Sequence, residues 1–143
     1  MAEVKTACVP CASLTDEHRL SPEAAQERAA SVPLWKLNDD KTQLRRSFIA
    51  KNFQAALEFM NAAGVIAERE NHHPDFHLTD YRHMEVVIWT HKLGCLTEND
   101  FQLAAMVDEV PVSYSPKWLK EEIARNPTAE PFLTGSKTAG AAL

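Results

Sequence analysis

A helical pattern that runs into a His-His-Pro corner constrains the fold of this chain more than any other feature. Residues 53–69 repeat apolar side chains at three- and four-residue steps, which is the spacing of an amphipathic helix. Pro74 cannot continue a helix, and it biases His73 towards an extended backbone. A short strand over 76–79 and a clearly alternating strand over 83–90 follow. We therefore expect the chain to pass from a helix into a sheet at this corner.

Start and stop signals place the remaining elements. A serine cap followed by proline predicts a helix over about 21–30. Alternating apolar residues separated by turn formers predict two hairpin strands over 34–37 and 43–50. A capping motif predicts a third helix over 97–110, and 117–125 can form a short extra helix.

In this order the elements predict an α+β fold, with three helices packed on one face of a four-stranded antiparallel sheet and a short additional C-terminal helix. The domain is expected to span 16–125, between a flexible leader at 1–15 and a flexible tail at 126–143. Open sheet edges invite pairing with a second copy, so a homodimer or homotetramer is predicted.

The helix predicted over 53–69 is expected to pack on the sheet through one apolar stripe. Side chains at helical spacing line one side of the helix, and burying them against the sheet would stabilise both elements. The stripe consists of Phe53, Leu57, Met60, Ala63 and Ala67.

Composition excludes several classes of function. The net charge of −5 leaves no basic surface for a nonspecific grip on nucleic acid phosphates. No apolar run approaches the roughly 20 residues needed to cross a bilayer, and residues 1–13 lack the pattern of a secretory signal. Three cysteines give no disulfide framework and fit a reducing compartment, so the cytoplasm is predicted, with the nucleus as an alternative. Cys8 and Cys11 lack a second pair that would complete a zinc site.

Histidines are concentrated around the corner. Histidine exchanges protons near neutral pH and binds metals, so a cluster points to proton transfer or metal ligation as well as to solvated loops. The adjacent pair at the corner should point in two directions, and the last histidine should emerge accessible at the end of its strand. Five of the six histidines lie between residues 68 and 100: His72, His73, His77, His83 and His91.

Two other residues have both a structural and a functional interpretation. Asp100 is the third residue of its predicted helix, where a carboxylate bonds the cap amide, and a cap is favoured over a catalytic carboxylate. Trp35 is favoured as a core anchor over a platform for a ligand. The sequence contains no Gly-rich phosphate loop and no motif that sets a nucleophile beside a base.

The spacing of these residues resembles the pterin-4a-carbinolamine dehydratases. Their pattern is an acid, three residues, His-His-Pro, five or six residues, an aromatic, nine residues, a histidine, and an aspartate after a further gap. A looser resemblance extends over about 20–112 and leaves out both tails. The matching residues are Glu68, His72, His73, Pro74, Tyr81, His91 and Asp100.

The resemblance implies an enzyme that recycles tetrahydrobiopterin by dehydrating a 4a-hydroxytetrahydropterin to a quinonoid dihydropterin, without metal or organic cofactor. By the same resemblance, His72 and His91 are the acid–base pair and His73 positions the pterin. Glu68 would be a base or an orienting partner.

Three further substrate-binding residues follow from the resemblance. Trp35 would pack by the pterin ring, and Pro74 would line the same site. Asp100 would orient a histidine as well as cap its helix.

Two rival functions remain at this stage. Some animal relatives in the family stabilise dimers of a transcription factor through a helical surface, so an interaction module is the main alternative. A zinc site built from the histidines is a third possibility. It is disfavoured because the side chains of His72 and His73 should diverge and no further ligand is obviously placed.

Overall fold

Four antiparallel strands and a layer of helices make up the computed structural model, which describes residue 10 and residues 13–135. The sheet order is β1-β2-β4-β3. This arrangement confirms the predicted α+β fold class. In chain order the elements are α1 (Pro22–Ala29), β1 (Lys36–Leu37), β2 (Leu44–Ile49), α2 (Phe53–Glu70), β3 (Asp75–Thr79), β4 (His83–Ile88), α3 (Glu98–Val107), α4 (Pro116–Arg125) and α5 (Glu130–Leu133).

Strand β4 is central and fixes the register of the sheet. It pairs with β2 over its whole length, from Leu44 opposite Ile88 to Ile49 opposite His83. On its other side it pairs with β3, where Asp75 lies opposite Val87. The beginning of β3 and the end of β4 therefore lie at the same end of the sheet.

The two faces of the sheet differ in polarity. On the face that does not carry the core, Glu85 stands between Ser47 and His77 of the neighbouring strands. The other face packs against residues of α1, α2 and α3 in one hydrophobic cluster. Its side chains are almost fully buried and include Leu44, Phe48, Met84, Val86 and Ile88.

Helix α2 packs through a stripe that matches the predicted one only in part. Phe53 is 49% exposed, so the prediction is wrong for it, and Leu57 is only half-buried. Met60 packs against the core, and Ala63 and Ala67 are buried, as predicted. Alanines on the buried side let the helix lie close to the sheet, and Phe59 meets Phe48 edge-on at a centroid distance of 5.0 Å. Burying a phenylalanine in this way contributes roughly 1.5–3 kcal/mol. The buried residues of α2 are Ala55, Ala56, Phe59, Ala63 and Ala67.

The chain beyond α3 returns to the end of β2. Tyr114 forms an isolated bridge with Ala50, and its ring contacts Phe48 at a centroid distance of 5.4 Å. The predicted flexible tail from residue 126 is wrong for 127–133, which form a 3₁₀ turn and helix α5. Burial of Ala129 and Leu133 outweighs the tail-like composition of this segment.

At the other end of the chain, Leu14 is buried although it falls within the predicted leader. Cys8 and Cys11 lie outside the described residues. Across the described ranges, none of the helices is long and apolar enough to cross a membrane.

Candidate active site

The corner after α2 points two adjacent histidines in different directions, as the sequence predicts. Asn71 ends the helix in the left-handed conformation (φ 53°, ψ 41°), which asparagine adopts more readily than most residues. The His72 amide then donates to the Ala67 carbonyl at 3.1 Å. This tight reversal buries His72, which is 5% exposed, while the side chain of His73 is 57% exposed.

The His72 imidazole is bonded to a carboxylate. Its Nε2 lies 2.6 Å from Oδ1 of Asp100, and both side chains are buried. A carboxylate only accepts hydrogen bonds, so Nε2 carries the proton of this contact. The partner therefore fixes both the tautomer and the orientation of the ring.

Asp100 is itself held from two directions through its second oxygen, Oδ2. The Thr97 amide donates to Oδ2 at 2.8 Å as the cap of α3, and the Thr90 hydroxyl donates to it at 2.8 Å. Thr90 and Thr97 hydroxyls lie 2.9 Å apart. Because the Thr90 proton goes to Asp100, the Thr97 hydroxyl donates to Thr90. Asp100 is thus a helix cap and a partner of His72 at once, so the two interpretations are compatible.

His91 begins the turn that follows Thr90. The turn is closed by the Thr90 amide, which donates to the Cys95 carbonyl at 3.0 Å, and by Gly94, whose φ of 67° favours glycine. The His91 side chain is exposed, and its ring meets the Trp89 ring at a centroid distance of 4.1 Å. Thr90 touches the same carboxylate as His72. The two histidines therefore belong to one end of the sheet.

His73 has a carboxylate partner of its own. Its Nε2 lies 3.1 Å from Oε1 of Glu68, one helical turn back in α2. The Glu68 side chain is 82% exposed, so solvent screens this pair and its contribution to stability is small. Pro74, half-buried, completes the corner.

Trp35 lies in the core and is not brought to the histidines. It is 3% exposed, and its Nε1 donates to the Asp108 carboxylate at 2.9 and 3.1 Å. Asp108 follows α3, eight residues after Asp100, which is about 12 Å along a helix. Trp35 is therefore a buried core residue, which is the structural one of its two interpretations.

Asp108 belongs to a buried polar network at that far end. Burial raises the pKa of its carboxyl to about 6, although the Arg46 guanidinium 2.8 Å away lowers it. Arg46 also donates to the Tyr114 hydroxyl at 2.6 Å. The network ties the segment after α3 to β2 and lies away from the corner.

The other motif residues are dispersed. Tyr81, the aromatic residue of the motif, is 54% exposed in the turn between β3 and β4, at the opposite end of β4 from Thr90. His77 and His83 lie on the polar face of the sheet. Within residue 10 and 13–135, no group of three or more His, Cys, Asp or Glu side chains is arranged to hold a metal ion.

Sequence reasoning missed three residues of the site. Thr90 and Thr97 fix Asp100, and Trp89 contacts His91. Thr90 could have been found from the alternation of β4. Two residues after Ile88, it falls on the buried side of the strand, which faces the helices. Trp89 and His91 lie beyond the end of β4, and their ring contact sets them on one side of the chain.

Comparison with known proteins decides the family. A family model described as pterin 4 alpha carbinolamine dehydratase matches residues 18–110. The chain belongs to this family. The resemblance inferred from the sequence is thus confirmed, and helices α4 and α5 lie beyond the matched segment of the pterin-4-alpha-carbinolamine dehydratase model.

Relatives of the chain carry related names. A mitochondrial pterin-4-alpha-carbinolamine dehydratase 2 of Arabidopsis thaliana is 43% identical over 107 residues, which cover 73% of this chain and 57% of the relative. A protein of Rubrobacter xylanophilus, named provisionally as the same dehydratase, is 41% identical over 103 residues, which cover 72% of this chain and 92% of the relative. The cytoplasmic location predicted for this chain stays a prediction.

One solved structure shares the fold closely enough to be informative. The crystal structure of a transcriptional coactivator/pterin dehydratase from Brucella melitensis superposes with a TM-score of 0.58 at 30% identity. The match covers 63% of this chain and 95% of the Brucella chain.

Proposed function

We propose that this chain removes water from a 4a-hydroxytetrahydropterin and releases a quinonoid dihydropterin, a step in the recycling of tetrahydrobiopterin. The family match and the names of the relatives support this substrate class. The observation that carries the proposal is the position of Asp100. Its carboxylate holds His72 directly and holds, through Thr90, the segment that bears His91.

The chemistry requires an acid and a base at separate positions. Hydroxide is a poor leaving group, so an acid must protonate the 4a oxygen as the C–O bond breaks, and a base must take the proton from the ring nitrogen. His91 is exposed and suits the first task. His72 suits the second, because the Asp100 carboxylate behind it stabilises the imidazolium that forms when the ring accepts a proton.

The exposed side of the corner would hold the pterin. His73, oriented by Glu68, can donate a hydrogen bond to the bicyclic ring, and Pro74 keeps the backbone of this rim rigid. The steps are proton transfers between imidazoles and the pterin. They require neither a metal ion nor an organic cofactor.

Replacing single histidines tests the proposal. We expect His91→Ala and His72→Ala each to lower kcat for a freshly generated 4a-hydroxytetrahydropterin by about 10²-fold or more, since general acid–base catalysis contributes about 10²–10⁴-fold. His77→Ala is the matched control, because His77 is an exposed histidine on β3 away from Asp100. Equal losses in all three variants, or none in the first two, would refute the assignment.

Assembly with further copies is proposed as well. Strand β3 lies at the edge of the sheet and pairs with β4 on one side only, so its other side can accept a second copy. We expect a homodimer or homotetramer. Light scattering behind size exclusion would show a mass of two or four chains, and a monomer at micromolar concentration would contradict it.

An interaction module is the second candidate function. The Brucella relative is described as a transcriptional coactivator as well as a pterin dehydratase. In this chain α2 exposes two large apolar side chains, Phe53 at 49% and Val65 at 68%, which a helical partner could cover. Capture of a dimeric transcription factor by the wild type, but not by Val65→Glu, would support this role. Capture by both variants would show that the partner does not bind at Val65, and no capture by the wild type would contradict the role.

A further inference from the structure

We propose that Trp89 is a positioning residue that sets the orientation of the His91 imidazole. The two rings meet at a centroid distance of 4.1 Å with an interplanar angle of 68°, an edge-to-face contact. Such pairs contribute beyond the area they bury and restrict ring rotation. Nothing in the family match or the names of the relatives assigns this residue a role.

His91 differs from the other two histidines in what holds it. His72 is bonded to Asp100 and His73 to Glu68, so each has a carboxylate that fixes its ring. Among the described residues, the imidazole of His91 makes no hydrogen bond, and its ring contact is with Trp89. An exposed imidazole rotates freely unless a neighbour restrains it. Trp89 is the neighbour that can do so.

Trp89 is well suited to restrain a ring because it is itself restrained. It follows directly on β4, the central strand, and its half-buried side chain packs against the hydrophobic core. The indole and the imidazole project to the same side, because their ring centroids lie 4.1 Å apart.

The register of the sheet brings the third histidine towards the same place. The pairing of β3 with β4 begins with Asp75 opposite Val87, so His73 precedes β3 at the end of the sheet where Trp89 follows β4. His73, Trp89 and His91 therefore lie at the same end of the sheet, and the indole contacts His91. A pterin ring bound by His73 would then contact the His91 imidazole, whose orientation is set by Trp89.

This inference rests on the proposed function, since it concerns how His91 reaches the 4a oxygen. A positioning residue affects the chemical step more than substrate binding, because a misoriented acid still leaves the binding groups in place. We therefore expect Trp89→Leu, which keeps an apolar side chain but removes the ring, to lower kcat by about tenfold or more and to change KM by less than about twofold. Trp89→Phe keeps an aromatic ring and should recover most of kcat.

A double-mutant cycle separates positioning from general destabilisation. If Trp89 acts through His91, Trp89→Leu lowers kcat in the wild type but adds no further loss in His91→Ala. Equal losses in both backgrounds would overturn the inference and assign Trp89 a structural role. Trp118→Leu is the matched control, a second half-buried tryptophan on α4, and should leave kcat unchanged.

Two results distinguish this inference from the proposed function. A wild type without dehydration activity, or His91→Ala with full activity, refutes the role proposed for His91 and the role of Trp89 with it. Full dependence on His91 with additive effects of Trp89→Leu refutes the positioning role alone. Should Trp89→Leu not fold, the unaltered protein supplies the test: proton NOEs between the Trp89 indole and the His91 imidazole support the inference, and their absence overturns it.

Discussion

Replacing Asp100 by asparagine removes one negative charge from the centre of the site with almost no change in shape. The carboxylate accepts three hydrogen bonds, from His72 at 2.6 Å, the Thr90 hydroxyl at 2.8 Å and the Thr97 amide at 2.8 Å. Asparagine offers one oxygen, and keeping it towards the two threonine donors turns the NH₂ group towards Nε2 of His72. The histidine must then accept at Nε2, so its tautomer is reversed.

The magnitude follows from these contacts. A hydrogen bond to a charged group is worth roughly 1.5–3 kcal/mol and a neutral one roughly 0.5–1.5, so losing the charge costs about 1 kcal/mol per bond. Three bonds give a loss of about 3 kcal/mol in the free energy of unfolding. In the reversed tautomer the ring proton is on Nδ1 and Nε2 is occupied by the amide, so neutral His72 has no free lone pair to accept the pterin proton. We expect kcat to fall by about 10²–10⁴-fold.

Urea unfolding and a stopped-flow dehydration assay measure the two effects of Asp100→Asn. Glu98→Gln is the matched control, because it removes the same charge from the first turn of α3 at a side chain that is 50% exposed. Its ion pair with Arg28 contributes at most about 1 kcal/mol. A kcat of Asp100→Asn within about twofold of the wild type would refute the reasoning, because His72 would then act without its carboxylate.

Three further predictions concern other parts of the molecule. Burial raises the pKa of Asp108 from 3.8 to about 6. The protonated carboxyl therefore contributes about 3 kcal/mol to the free energy of unfolding below pH 4, and this contribution is lost as the pH rises through 6. Carboxyl ¹³C NMR should show this group titrating near pH 6, and titration near pH 4 would contradict the prediction. Gly94→Ala should cost roughly 1–2 kcal/mol in urea unfolding because φ is 67°, and an unchanged midpoint would contradict this strain. Glu68→Gln should change the free energy of unfolding by less than about 1 kcal/mol while raising KM, since the side chain is 82% exposed; an unchanged KM would remove Glu68 from the site.

The strands could be predicted closely because alternation reports directly on burial. Met84, Val86 and Ile88 alternate with His83, Glu85 and Val87, and the structure buries the three predicted residues and Val87 as well. The helix–strand corner was equally clear, since Pro74 ends the helix whatever the surroundings. Local chemistry of this kind does not depend on distant parts of the chain.

The packing of α2 could not be predicted, because periodicity gives a stripe but not its rotation about the helix axis. The large side chains of Phe53 and Leu57 suggested one face, whereas the buried face takes in Ala56 and Phe59, which the predicted stripe leaves out. The rotation of α2 about its axis is set by the sheet surface it packs on, where the Phe48 ring packs edge-on against Phe59. That surface is assembled from other strands.

The site could be predicted in part. The spacing suggested His72, His73 and His91, but not which histidine each carboxylate holds. Asp100 was expected as a cap and, from the resemblance, as a residue that orients a histidine; its partner His72 lies 28 residues away in the sequence. Contacts between residues so far apart in the sequence produce no periodic pattern from which they could be predicted.

The most direct test of convergence is imidazole ¹H–¹⁵N NMR during titration with a 7,8-dihydropterin, which lacks the 4a hydroxyl and cannot be dehydrated. We expect the ring signals of His72, His73 and His91 to shift together with one dissociation constant, while those of His77 and His83 stay in place. Shifts confined to His77 and His83, or different dissociation constants for the first three, would contradict a single pterin site at the end of the sheet.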